Sequence, residues 1–95
     1  MAVYMIVPTE DAARLEALVK SVFKDNPDDI YILPNKGACF IRYAKTSSEL
    51  AEELDLAGQK SKENRPCPAV VTLVTTYNGY APTTLWEWLK TRMEK

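Results

Sequence analysis

The chain has 95 residues, enough for one modest core. Hydrophobic residues make up 46% and charged residues 26%, a globular balance that excludes a disordered tail, a collagen-like chain and a disulfide-dense scaffold. With 12 basic residues against 13 acidic ones the net charge is -1, so no global field draws the chain to nucleic acid or to an anionic membrane.

Ala2 to Val7 is apolar and β-prone and predicts a first strand, which Pro8 stops. Thr9 is placed to cap a helix, and Glu10 and Asp11 suit its positive first turn. Ala12, Leu15, Leu18, Val19, Val22 and Phe23 then recur at helical spacing until Asp25-Asn26-Pro27 ends the helix. Ile30 to Leu33 reads as a second strand and Pro34-Asn35-Lys36-Gly37 as a tight turn. Ala38 to Ala44 is a third strand, and the short connection makes it the antiparallel partner of the second.

Thr46-Ser47-Ser48-Glu49 has capping-box spacing and opens a second helix, with Leu50, Leu54 and Ala57 as its apolar stripe and Gly58 in position to close it. Gln59 to Pro68 is polar, basic and proline-bounded, and reads as a mobile loop. Ala69 to Tyr77 is the strongest strand signal, almost wholly β-branched or aromatic, and Asn78-Gly79 turns the chain after it. Thr84-Leu85-Trp86-Glu87 repeats the capping-box spacing. The helix it opens carries Leu85, Trp88, Leu89 and Met93 on one face, with Trp86 off it. The order β-α-β-β-α-β plus a helix predicts an α+β ferredoxin-like sandwich, one domain over residues 1–95: a four-stranded antiparallel sheet, two helices on one face and an extra C-terminal helix.

Several chemistries are missing. There is no histidine, which removes the Ser-His-Asp triad, the Cys-His dyad and the His-Glu-x-x-His zinc site. Cys39 and Cys67 form no C-x-x-C pair and are too few for structural zinc. They point to a reducing compartment, with one disulfide between them left open. No apolar run approaches the roughly 18–20 residues of a membrane span, and the N-terminus lacks the basic start of a signal peptide. The expectations are a cytoplasmic location, no membrane partner, no cofactor and no metal. Lys60, Lys62 and Arg65 read as a solvated basic loop, and Cys67, between two prolines, as an exposed but inert thiol. Asp25, Asp28 and Asp29 lack calcium-loop spacing and read as a helix stop and strand cap. Glu49, Glu52, Glu53 and Asp55 read as the wet face of helix two. Tyr77, Asn78, Gly79, Tyr80, Trp86 and Trp88 concentrate aromatics and turn residues near the C-terminus, suited to a core or to a binding hot spot.

Alternation assigns the sheet faces. On strand three Cys39, Ile41 and Tyr43 face the helices and Phe40 and Arg42 face out, because arginine rarely enters a core. Strand one is apolar on both faces. With Val3, Met5 and Val7 turned in, Tyr4 and Ile6 turn out, and strand two adds Tyr31 and Leu33. The outer face Tyr4, Ile6, Tyr31, Leu33, Phe40 and Arg42 is too apolar to stand bare in water. Its cover is the C-terminal helix folding back, a protein partner such as a second copy, or a ligand.

Lys36-Gly37-Ala38-Cys39-Phe40-Ile41-Arg42-Tyr43 resembles the third-strand signature of RNA-recognition motifs, and Val3-Tyr4-Met5-Ile6-Val7 resembles their first-strand signature, with the element order matching over about 75 of the 95 residues. The resemblance implies Tyr4 and Phe40 as stacking platforms for bases, with Lys36 and Arg42 near phosphates or base edges. Ala38 stands where that family has an outward aromatic, Cys39 where it has Gly or Ala, and Val7 where it has Asn.

The leading expectation is a non-catalytic regulatory or adaptor module acting through the apolar sheet face, most simply as a homodimer. Single-stranded RNA or DNA binding through Tyr4, Lys36, Phe40 and Arg42 is the first alternative. A small dimeric enzyme with no assignable catalytic residue is the second.

Overall fold

The computed structural model of the chain describes residues 2–59, 66–75 and 83–93. Lys60, Lys62, Arg65, Tyr77, Asn78, Gly79 and Tyr80, and the side chain of Met93, lie outside the described residues.

The chain is α+β. Strands β1 (Ala2–Pro8), β2 (Ile30–Ile32), β3 (Cys39–Tyr43) and β4 (Ala69–Leu73) form an antiparallel open sheet in the order β2-β3-β1-β4. Helices α1 (Ala12–Val22), α2 (Ser47–Glu53) and α3 (Thr83–Met93) complete it. Leu15 and Val19 of α1 and Leu50 of α2 share one core with Tyr4, Ile6, Cys39 and Ile41, so α1 and α2 lie on the same sheet face. Leu85 and Leu89 of α3 share a second core with Val3 and Phe40 on the opposite face. The sheet is thus covered on both sides.

Local chemistry explains the element ends. Thr9 does not cap α1, because its N–H donates to the Pro68 carbonyl at 3.0 Å and prolongs the β1–β4 ladder. Asp11 caps instead, its carboxylate accepting from the Arg14 N–H at 3.1 Å. In the β2–β3 turn the Asn35 side chain accepts from the Gly37 N–H at 2.9 Å, and Lys36 takes the left-handed region at φ 62. The capping box forms as its spacing predicts: the Glu49 N–H donates to Thr46 Oγ1 at 3.2 Å, and the Thr46 N–H to Glu49 Oε1 at 3.4 Å.

Gly58 does not close α2. Asp55 takes the left-handed position at φ 54; its N–H bonds the Glu52 carbonyl, and the Leu56 N–H reaches back to the Ala51 carbonyl. This Schellman closure at Asp55, three residues before Gly58, turns Leu56 into the core. Strand four stops at Leu73, short of the predicted Tyr77. Thr84 lies within α3 rather than before it, and its hydroxyl meets the Tyr31 hydroxyl at 2.7 Å. Cys67 is buried in the first core, not exposed, because its N–H donates to the Leu56 carbonyl at 2.8 Å and draws the Pro66–Pro68 segment inward.

Candidate functional site

β1 sorts the predicted sheet-face residues in the reverse of the expected sense. Tyr4, 6% exposed, and Ile6 lie with Ile41 and Cys39 on the α1/α2 face, while Val3 and Met5 lie with Arg42 and Phe40 on the α3 face. The cause is the tyrosine. Its ring packs edge-on to Tyr43 at 6.4 Å, and its hydroxyl passes the rim of the core to donate to the Lys45 carbonyl at 2.7 Å. Phe40, Tyr31 and Leu33 do share the other face, and Phe40 is only 8% exposed.

α3 covers that face. The Trp88 ring lies 6.0 Å from Tyr31 and 6.4 Å from Phe40. Polar contacts seat the helix: the Asp28 carbonyl accepts from Trp88 Nε1 at 3.1 Å and from Arg92 Nε and Nη2 at 3.0 and 2.6 Å. The Arg92 guanidinium also lies 5.4 Å from the centre of the Trp88 ring. Arg42 is half-buried, 3.6 Å from Asp29, and its Nε has no hydrogen-bond partner among the described residues.

The set implied by the RNA-recognition resemblance is therefore divided. Tyr4 is on the α1/α2 face, Lys36 is engaged with Glu16 of α1 at 2.8 Å, Phe40 is under α3, and Arg42 is beside Asp29.

What stays open is the sheet margin. Val70, 56% exposed, and Leu73, 50% exposed, are the exposed large hydrophobics among the described residues, and both belong to the edge strand β4. Val70 escapes cover because α3 lies over β1, β3 and β2 and meets this side of the sheet only at Val74, just past the end of β4. The Val74 N–H donates to the Val3 carbonyl and the Thr9 N–H to the Pro68 carbonyl. These bonds and the Tyr4–Leu73 register fix the phase of the ladder: Val70 and Thr72 direct their backbone groups to β1, and Ala69, Val71 and Leu73 direct theirs outward. Beside this edge, on the α1/α2 face, runs a groove of about 470 Å³. Apolar Ala51, Leu56, Ala57, Ala69 and Val71 line it together with polar Ser47, Ser48 and Gln59 and acidic Glu52 and Asp55.

Among the described residues, Glu16, Cys39 and Tyr43 are shifted away from neutrality. Hydrogen bonds from Lys20 and then Lys36 hold the Glu16 carboxyl below its ordinary range. Burial pushes the Cys39 thiol up to about 12. Burial, then the hydrogen bond to Glu53, pushes the Tyr43 phenol up to about 12. No group of three or more His, Cys, Asp or Glu side chains among the described residues is arranged to hold a metal ion. No described helix is long and apolar enough to cross a membrane.

The β4 margin was not singled out from the sequence. Its signal is the charge-free run Ala69–Thr76, long enough for a strand and lacking the lysine or interior proline that commonly blocks an exposed edge. Comparison of the chain with models of known protein families, with curated proteins and with solved structures finds no match.

Proposed function

We propose that this chain is a non-catalytic binding domain of ferredoxin-like architecture that offers the β4 margin, rather than the middle of its sheet, to a protein partner. The observation that carries the reading is that the large hydrophobics left half-exposed among the described residues both lie on an edge strand whose outward backbone groups carry no described partner. An extended partner segment could satisfy those groups by adding a strand, with side-chain recognition supplied by Val70, Leu73 and the adjoining groove.

Other observations support binding over chemistry. A catalytic acid or base works best near the operating pH, whereas Glu16, Cys39 and Tyr43 among the described residues are shifted outward from it. The sheet face itself is occupied by α3, so the apolar patch read from Tyr31, Leu33 and Phe40 serves as that helix's seat. Two buried thiols not joined in a disulfide suit a reducing, cytoplasmic setting.

The test is amide hydrogen exchange on dilute protein whose mass is that of one chain. Ala69, Val71 and Leu73 are expected to exchange fast while Val70 and Thr72 are protected. Protection of all five in the single chain would mean that the margin is already covered, and the reading fails. Titration with oligo-dT or oligo-U should leave the Trp88 and Phe40 signals in place. Uptake of the strand with steep salt dependence would favour the nucleic-acid alternative instead.

A further inference from the structure

We propose that the occupant of this margin is a second copy of the chain, its β4 paired antiparallel with β4 about a two-fold axis at Val71, and that Leu73 of each copy seats in the other's groove. The inference rests on the reading of the β4 edge given above.

The register follows from the phase of the ladder. Two edge strands can bond only where outward-directed residues oppose outward-directed residues, so the axis must fall on a residue of the strand and not between two residues. Only an axis at the central Val71 pairs all of Ala69, Val71 and Leu73, and one at any other residue leaves part of each strand without a partner. An axis at Val71 sets Ala69 opposite Leu73 of the second copy, Val71 opposite Val71, and Leu73 opposite Ala69. Every outward N–H and carbonyl of the strand then finds its complement in an identical strand. A two-fold arrangement also closes on itself, which a head-to-tail use of the same edge does not.

Side chains agree with that register on both faces. On the α1/α2 face the large, half-exposed Leu73 falls opposite the small Ala69, which lines the groove with Ala51, Leu56 and Ala57. A half-exposed leucine of one copy thus meets the apolar side of the groove in the other, twice by symmetry. On the α3 face Val70 falls opposite Thr72, a β-branched pair suited to cross-strand packing. Ala69 to Leu73 carries no charge, so no like-charge pair arises between the strands. Glu52 and Asp55 in the groove lining select against a negative charge at position 73 of the incoming copy.

The experiment measures mass by sedimentation from low micromolar to near-millimolar protein, together with exchange at Ala69, Val71 and Leu73, for the wild type, Leu73→Glu and a surface control, Ala17→Glu on α1. The expected result is a mass that doubles with concentration, with the outward amides protected only in the doubled species. Leu73→Glu should weaken association by at least about tenfold while Ala17→Glu matches the wild type. Circular dichroism checks the fold of both variants, and the wild-type exchange data decide independently of them. Doubling with those amides still open places the dimer elsewhere and overturns the inference. A single chain at every concentration with open amides overturns it while leaving the edge free for another partner. Protection in the single chain overturns both this inference and the reading beneath it.

Discussion

Leu89→Ala tests how firmly α3 is held on the sheet. Leu89 is 1% exposed and meets Val3, Phe40 and Leu85 in the second core, so truncation removes most of a buried side chain and leaves a void beneath the helix. Leucine-to-alanine changes at such sites cost about 2–5 kcal/mol. α3 is a peripheral helix that can settle into part of the void, which places the expected cost near about 3 kcal/mol. With a urea dependence of about 1.5 kcal/mol per molar for a chain of this size, the unfolding midpoint should fall by about 2 M. Both tryptophans of the protein, Trp86 and Trp88, lie on α3 and pack against this core. Their emission therefore reports the helix's seat, while far-UV circular dichroism reports the whole fold. Fluorescence should lead circular dichroism in the variant if α3 lifts before the sheet unfolds, and the two should coincide in the wild type. A midpoint shift under about 0.3 M by both probes would refute the account of α3 as the cover of the Phe40 face.

Three further outcomes follow from single contacts. Arg92→Ala deletes both guanidinium bonds to the Asp28 carbonyl and the stacking on Trp88; it should cost about 1–2 kcal/mol and shift tryptophan emission to the red, and unchanged emission would deny the contact. Thr46→Ala removes the helix cap accepted from Glu49; a loss of about 1 kcal/mol should lower Tm by about 5 °C, and an unchanged Tm would show that water replaces the cap. Burial raises the Cys39 thiol to about 12 from about 8.5 in the unfolded chain. Its contribution to stability is therefore complete below about pH 8.5 and is lost as pH rises toward 12, at up to about 1.4 kcal/mol per pH unit. Urea midpoints measured from pH 8 to 10 should fall more steeply for the wild type than for Cys39→Ala, and parallel slopes would contradict this.

Where a polar marker was available, the sequence was readable. Arg42 assigned the faces of β3, and its neighbour Phe40 lies where alternation puts it. Thr46 and Glu49 announced α2 through a bonding scheme confined to four consecutive residues. β1 offered no such marker, since both its faces are apolar, and the face was decided by a contact remote in sequence, the Tyr4 hydroxyl to the Lys45 carbonyl. The end of α2 misled for a different reason: Asp55 accepted a left-handed backbone that glycine takes with less strain, so the glycine nearby pointed to the wrong turn. The apolar Tyr31–Leu33–Phe40 patch was legible, and so was its need for a cover, but which of three candidates supplied the cover depended on where α3 came to rest. The β4 margin went unread because its charge-free run marks an open edge only once the strand order is known.

The receptor for Trp88 and Arg92 is a main-chain oxygen in the 3₁₀ turn Pro27–Asp29. Replacing the Asp28 side chain leaves that oxygen in place, so variation at position 28 should spare the seating of α3. Position 27 carries the greater constraint: a residue with a freer φ there would let the turn wander and misdirect the carbonyl without altering a single atom that the helix touches.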